Sequence, residues 1–164
     1  NGRPPIRSCK MAIEACQLLS TAHWAALPDY DKGTKSRYSD HQERWPAPYL
    51  PTHESHPWAK AISGSSRAYR FVWEYAQSLL LEHEHRTGRA MNSVQAAADK
   101  LYDPPSSCLD VDWLVSVCRG GQPPMYVDSL EEAVSLYRGY YLSKIDKMPR
   151  FTLRSTPPWY FEKP

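Results

Sequence analysis

The chain has 164 residues, 20 basic against 18 acidic side chains, and a formal net charge of +2. That length suits one domain with a core of its own, while the charge is too small to mark a nucleic-acid binder by itself. No apolar run approaches the roughly 20 residues that cross a bilayer, so no membrane partner is expected.

Residues 1–7 read as an irregular N-terminus, because Pro4 and Pro5 forbid an ordinary helix interior. A helix is expected from about Ser8 to Trp24, with Cys9, Ala12, Ile13, Cys16, Leu19 and Ala22 on its apolar side. Lys10, Glu14, Gln17 and Thr21 form a second stripe, in which Lys10 and Glu14 face each other across one turn. Leu27 to Leu50 is poor in apolar residues and rich in turn formers, and reads as a long surface loop. Lys32, Lys35, Arg37 and Arg44 make it basic, with Tyr30, Tyr38 and Trp45 interleaved. That composition suits a phosphate backbone and a stacked base, or a solvated lid.

The stretch from Pro51 to Gly88 organises the rest. Tyr69, Val72, Trp73, Ala76, Leu79, Leu80 and His83 recur at helix spacing and predict the core helix. Ser65 and Ser66 supply a start cap, and Arg86 with Gly88 supplies the stop. A polar Thr52–His53–His56–Pro57 segment lies just before it. A shorter helix is expected over Ser93 to Leu101, with Pro104 and Pro105 ending it. Cys108 to Arg119 reads as a short strand or a buried extended segment, which periodicity alone does not separate. Gly120, Gly121, Pro123 and Pro124 form a turn-rich link. The last helix runs from about Ser129 to Leu142, with Asp128 and Glu131 as a capping box. Leu130, Ala133, Val134, Tyr137, Tyr140 and Tyr141 form its inner side. The sum is a mainly α chain: a single compact helical domain over 1–164, with long loops and an aromatic, basic C-terminal strap over 143–164.

Cys9, Cys16, Cys108 and Cys118 form no CxxC pair, and read as buried thiols in a reducing, cytoplasmic setting rather than as a zinc site or disulfide framework. No Walker loop, dinucleotide fingerprint, HExxH or nucleophile elbow occurs, so no metal or other cofactor is expected. Three weaker constellations remain. His53 and His56 stand three residues apart, with Glu82, His83 and His85 later. Pro51 and Pro57 disfavour the helical geometry a metal would need, which leaves hydrogen bonding in a ligand or phosphate pocket. Lys10 beside Glu14 is a surface ion pair in one reading. In the other, a desolvated amine forms a Schiff base while the carboxylate steadies a cationic sugar or shuttles protons. Phe151 to Phe161 carries Arg154 and Trp159, which suit a phosphate and a base, or a strap packed on the core.

Taken in order, these segments resemble a family of small phage-type proteins. Lys10, Met11, Glu14, Gln17, Leu18 and Leu19 match its first helix, K-M-x-x-E-x-x-Q-L-L. Thr52, His53, His56 and Pro57 match T-H-x-x-H-P, and Ser66, Tyr69 and Trp73 follow at its aromatic spacing. Glu82, Arg86 and Gly88 match its helix end. Ala133, Tyr137, Tyr140, Tyr141, Pro158, Trp159 and Phe161 match its C-terminal block. That family looks distantly similar to the pyrimidine-dimer DNA glycosylases/AP lyases of phage, which use an N-terminal amine and a helix-borne glutamate. Arg7 and Met91 stand where relatives often carry histidine, and if Asn1 is the natural terminus the chain supplies an α-amine but not the usual N-terminal threonine.

The resemblance implies a DNA-acting enzyme that cleaves a base–sugar bond in double-stranded DNA. Glu14 takes the place of the glutamate, and Lys10 or the α-amine of Asn1 is the nucleophile. His53 and His56 line the pocket; Arg67, Arg70, Lys144 and Arg154 hold phosphates; Tyr69 and Trp159 complete the substrate contacts. For a phage protein the setting is the host cytoplasm. Two other classes stand beside this one: a non-catalytic module that binds nucleic acid or a host protein, and a nucleotide or small-ligand pocket built on His53 and His56.

Overall fold

Small side chains on the first and central helices let their backbones approach closely, and the architecture grows from that contact. A computed structural model describes residues 7–30, 45–113, 115–117 and 124–143. The chain is mainly helical, as its periodicity predicts. Its contacts divide it into two units, Asn1–Trp113 and Leu114–Pro164. Residues 1–6, the basic stretch 31–44, the turn at 118–123 and the strap at 144–164 lie outside the described residues. Among the described residues, no helix is long and apolar enough to cross a membrane.

In the first unit, α1 (Arg7–Ala25) packs on α2 (Pro57–Gly64) and α3 (Ser66–Thr87), and α4 (Asn92–Lys100) closes against α1 and α3. Ala12, Ala15, Cys16, Leu19 and Ala22 of α1 are buried against Ala68, Tyr69, Val72, Ala76 and Leu80 of α3. Ile62 of α2, with Val94, Ala98 and Leu101 at α4, completes the core. Trp24 is fully buried, and its Nε1–H donates to the Tyr49 carbonyl at 2.9 Å. That bond draws residues 45–50 over the end of α1, where Trp45, Ala47, Tyr49 and Leu50 pack on the core. Cys16 is buried and Cys108 half-buried, and both are free thiols. Burial pushes the Cys16 thiol up to about 11, so it stays protonated and unreactive at neutral pH.

The caps of α3 are those its sequence predicts. Ser65 Oγ accepts the Ala68 N–H at 3.2 Å, and Gly88 ends the helix in the left-handed region at φ 66°. Ser65 also ends α2, its N–H donating to the Ala61 carbonyl at 2.9 Å, and its hydroxyl donates to the Val111 carbonyl. One buried serine therefore sets the angle between two helices and anchors the extended segment that follows α4. Leu109 runs beside it as a parallel bridge to Ser65.

Helix α2 is absent from the sequence reading. It spans only eight residues, too short for periodicity to declare itself. Its signature is local instead: Pro57 at the first helical position and His56 as the cap.

In the second unit, β1 (Val115–Val117) pairs antiparallel with β2 (Met125–Val127), Val115 opposite Val127, and α5 (Leu130–Leu142) packs on both strands. Val115, Val127 and Ala133 are buried there. The expected capping box sits one residue late: Ser129 Oγ accepts the Glu132 N–H at 3.1 Å, so Ser129 caps α5 rather than Asp128. Leu130 and Val134, expected on the inner side, are exposed.

Candidate functional site

The polar stripe of α1 ends at Thr21, and Thr21 is where the histidine segment docks. Thr21 Oγ1 accepts the Thr52 N–H at 3.0 Å and lies 2.9 Å from both the Thr52 and Gln17 carbonyls, which share its one proton. Thr21 is buried, while Gln17 and Glu14 on the same helix side are half-buried and Lys10 is exposed. Gln17, Glu14 and Lys10 continue from it along the same side. Glu14 is two helical turns away, about 10 Å at 1.5 Å per residue. The fold thus docks the residue before the histidine turn onto the end of the stripe that carries Lys10 and Glu14.

The docked segment is a tight turn. The His56 N–H donates to the His53 carbonyl at 2.8 Å. His53 adopts φ 53°, the one non-glycine in the left-handed region among the described residues. Such a backbone is costly for a residue with a Cβ and persists only when its surroundings fix it. The Thr21–Thr52 tie on one side and the start of α2 on the other supply that constraint. His53 is exposed, with Nδ1 2.8 Å from Thr52 Oγ1. His56 is half-buried, and its Nδ1 accepts the Trp58 N–H at 3.2 Å. Burial lowers the His56 pKa, and the charge of nearby His53 lowers it further, so the ring is neutral at neutral pH. Among the described residues, no group of three or more His, Cys, Asp or Glu is placed to hold a metal ion.

The other sequence-nominated residues fall in different places. Lys10 Nζ lies 3.4 Å from Glu14 Oε1, with the side chains 81% and 46% exposed. The desolvation expected to activate Lys10 is therefore missing, and the two form a solvated i, i+4 pair. Tyr69 is not a substrate contact, because it is fully buried. Its hydroxyl donates to the Leu101 carbonyl at 2.9 Å and meets His23 Nε2 at 2.9 Å. Since that single proton goes to Leu101, His23 Nε2–H is the donor to the phenol oxygen. Arg67 is committed to Asp110 at 2.8 Å and Asp112 at 2.7 Å rather than offered to a phosphate. Those hydrogen bonds hold Asp110 below the usual carboxylate range. Arg70 is exposed on the same helix, close enough to bias Asp110. Glu82 and Arg86 pair at 2.6 Å in the last turns of α3. Asn1, Lys144, Arg154 and Trp159 lie outside the described residues.

Thr21 is the residue that the sequence placed on the stripe without assigning it a task. Its 10, 14, 17, 21 spacing gave the face, but only the fold shows that the stripe ends under a turn. No protein-family profile, characterised protein or solved structure matches this chain.

Proposed function

We propose that the face formed by the α1 stripe and the Thr52–His56 turn acts on DNA, with chemistry of the glycosylase/AP-lyase type. The reading is supported by the tie between Thr21 and Thr52, which docks the histidine segment at the end of the helical stripe that carries Glu14. In this reading Glu14 transfers protons and steadies positive charge at the sugar carbon. The amine nucleophile attacks that carbon as the base departs with the bonding electrons of the glycosidic bond, and the sugar ring then opens at its C1′–O4′ bond, with a proton passing to O4′, to leave the Schiff base. Lys10 is the amine beside Glu14. His53 and His56 contact the phosphate next to the reacting sugar. Flipping the nucleotide out of the duplex precedes chemistry, because the glycosidic carbon is inaccessible in the stack.

The test is strand cleavage of a duplex containing one abasic site, by the parent chain and by Glu14→Gln. The parent cuts, and Glu14→Gln binds the duplex within about threefold but loses cleavage by roughly 100-fold or more, the scale of a general acid–base group. Equal cleavage by both would remove Glu14 from the mechanism.

One observation favours a second reading, a module that binds nucleic acid without turnover. The Lys10 side chain is 81% exposed, without the desolvation that activates an amine as a nucleophile. That reading gives salt-dependent binding and no cleavage by either protein.

A further inference from the structure

The last residues of the first unit, 108–113, run as an extended segment beside the joint of α2 and α3. The Leu109 N–H donates to the Gly64 carbonyl at 3.2 Å, and the Ser66 N–H donates to the Leu109 carbonyl at 2.9 Å. The Ser65 hydroxyl donates to the Val111 carbonyl, and the Cys108 thiol to the Ile62 carbonyl at 3.3 Å. Arg67 adds a fork, Nε to Asp110 Oδ1 at 2.8 Å and Nη1 to Asp112 Oδ1 at 2.7 Å.

These fastenings are polar. Leu109 and Val111 are exposed, so the aliphatic side chains of the segment bury little surface. Its apolar anchor is the half-buried Trp113, whose ring lies 6.0 Å from that of Phe71, which in turn stacks on Trp58 at 5.7 Å. That anchor carries a cost of its own. The Trp113 Nε1–H is buried with no hydrogen-bond partner among the described residues. A buried donor without an acceptor raises the free energy of the closed arrangement, and opening returns it to water. Segments with few buried apolar contacts and exposed polar bonds are the ones that open locally. The Arg67, Asp110 and Asp112 side chains are each 50% exposed or more, so salt weakens their pairing.

We propose that residues 108–113 form an electrostatic latch on the start of α3, held shut by Arg67 and opening as one unit, ahead of global unfolding, when Arg67 releases Asp110 and Asp112. Opening frees the Arg67 guanidinium and lifts Trp113 from Phe71, which sits one turn after Arg67 on α3. The Trp58–Phe71 stack then lies uncovered beside an unpaired cation. The latch is independent of the chemistry proposed for the α1 stripe.

The experiment is hydrogen exchange of the full chain by NMR at about 20 mM and about 0.5 M sodium chloride. It compares the parent with the double variant Asp110→Asn/Asp112→Asn. The Ser66 and Leu109 amides report the latch, and the Val72 amide in the core of α3 reports global unfolding. In the parent, the two latch amides share one protection factor, below that of Val72. Salt lowers it by at least about threefold, the scale of two exposed ion pairs, and leaves that of Val72 unchanged. The double variant at low salt matches the parent at high salt and responds no further to salt. Latch amides as protected as Val72, unequal protection at Ser66 and Leu109, or a salt response that survives in the double variant would each overturn the proposal. No step needs DNA or turnover, so failure of the lyase reading leaves this result readable on its own.

Discussion

Thr21 and Thr52 hold each other by two contacts, the Thr52 N–H reaching Thr21 Oγ1 at 3.0 Å and Thr21 Oγ1 reaching the Thr52 carbonyl at 2.9 Å. A single hydroxyl thus meets both backbone polar groups of a residue 31 positions away, the one before the strained His53, while sharing its proton with the Gln17 carbonyl. Replacing Thr21 with valine keeps the shape and removes the hydroxyl. The expected cost is about 1–3 kcal/mol in urea unfolding, because a buried N–H loses its partner. Thr21→Ser keeps the tie and stays within about 1 kcal/mol of the parent. Hydrogen exchange at the Thr52 amide should quicken in Thr21→Val and hold in Thr21→Ser.

Tyr69 gives a prediction that separates core from substrate contact. Tyr69→Phe strips the acceptor from His23 Nε2–H and the donor from the Leu101 carbonyl. Stability should fall by about 1–3 kcal/mol, while the affinity of the folded protein for an abasic duplex stays the same. A loss of affinity without loss of stability would return Tyr69 to the substrate surface.

Burial lowers the pKa of His23, and burial followed by the charge of His53 lowers that of His56. Both lie below the ordinary 6.5 when folded. The unfolded chain therefore binds more protons than the folded one just below that value. Stability is at its full level above about pH 6.5 and falls as pH drops through the folded pKa values. Thermal unfolding between pH 8 and 5 should show a flat upper limb and a declining lower one. His23→Gln, which keeps a donor toward Tyr69, should flatten part of the decline.

The caps illustrate how far local chemistry carries. Ser65 and Gly88 bound α3 as their types demand, because a serine oxygen and a left-handed glycine satisfy orphan backbone groups without help from the rest of the fold. The cap of α5 slipped by one residue, since Asp128 with Glu131 and Ser129 with Glu132 both fit the capping pattern and only the observed bond chooses. Helix α2 escaped because its signal is a proline and a histidine cap rather than a repeat. At the candidate site, the residue types of Glu14, His53 and His56 were visible, but the docking of the histidine segment on the end of the α1 stripe was not, because it depends on a contact across 31 positions. Arg67 and Tyr69 show the opposite error. Their types suit phosphate and base, yet Asp110, Asp112, His23 and Leu101 had already engaged them.

The α5 cap can be decided by two substitutions. Ser129→Ala should cost about 1 kcal/mol of stability in the second unit, whereas Asp128→Ala should cost a few tenths. Equal losses would contradict the assignment of Ser129 as the cap.

The most direct measurement of the central proposal is borohydride trapping on a duplex with one abasic site. Reduction converts a Schiff base into a permanent bond, so the nucleophile is read by peptide mapping. The account predicts a trapped complex whose crosslink maps to Lys10, with trapping lost in Lys10→Arg and strongly reduced in Glu14→Gln. Salt-dependent binding of the same duplex with no trapped complex would contradict it and leave a binding module in its place.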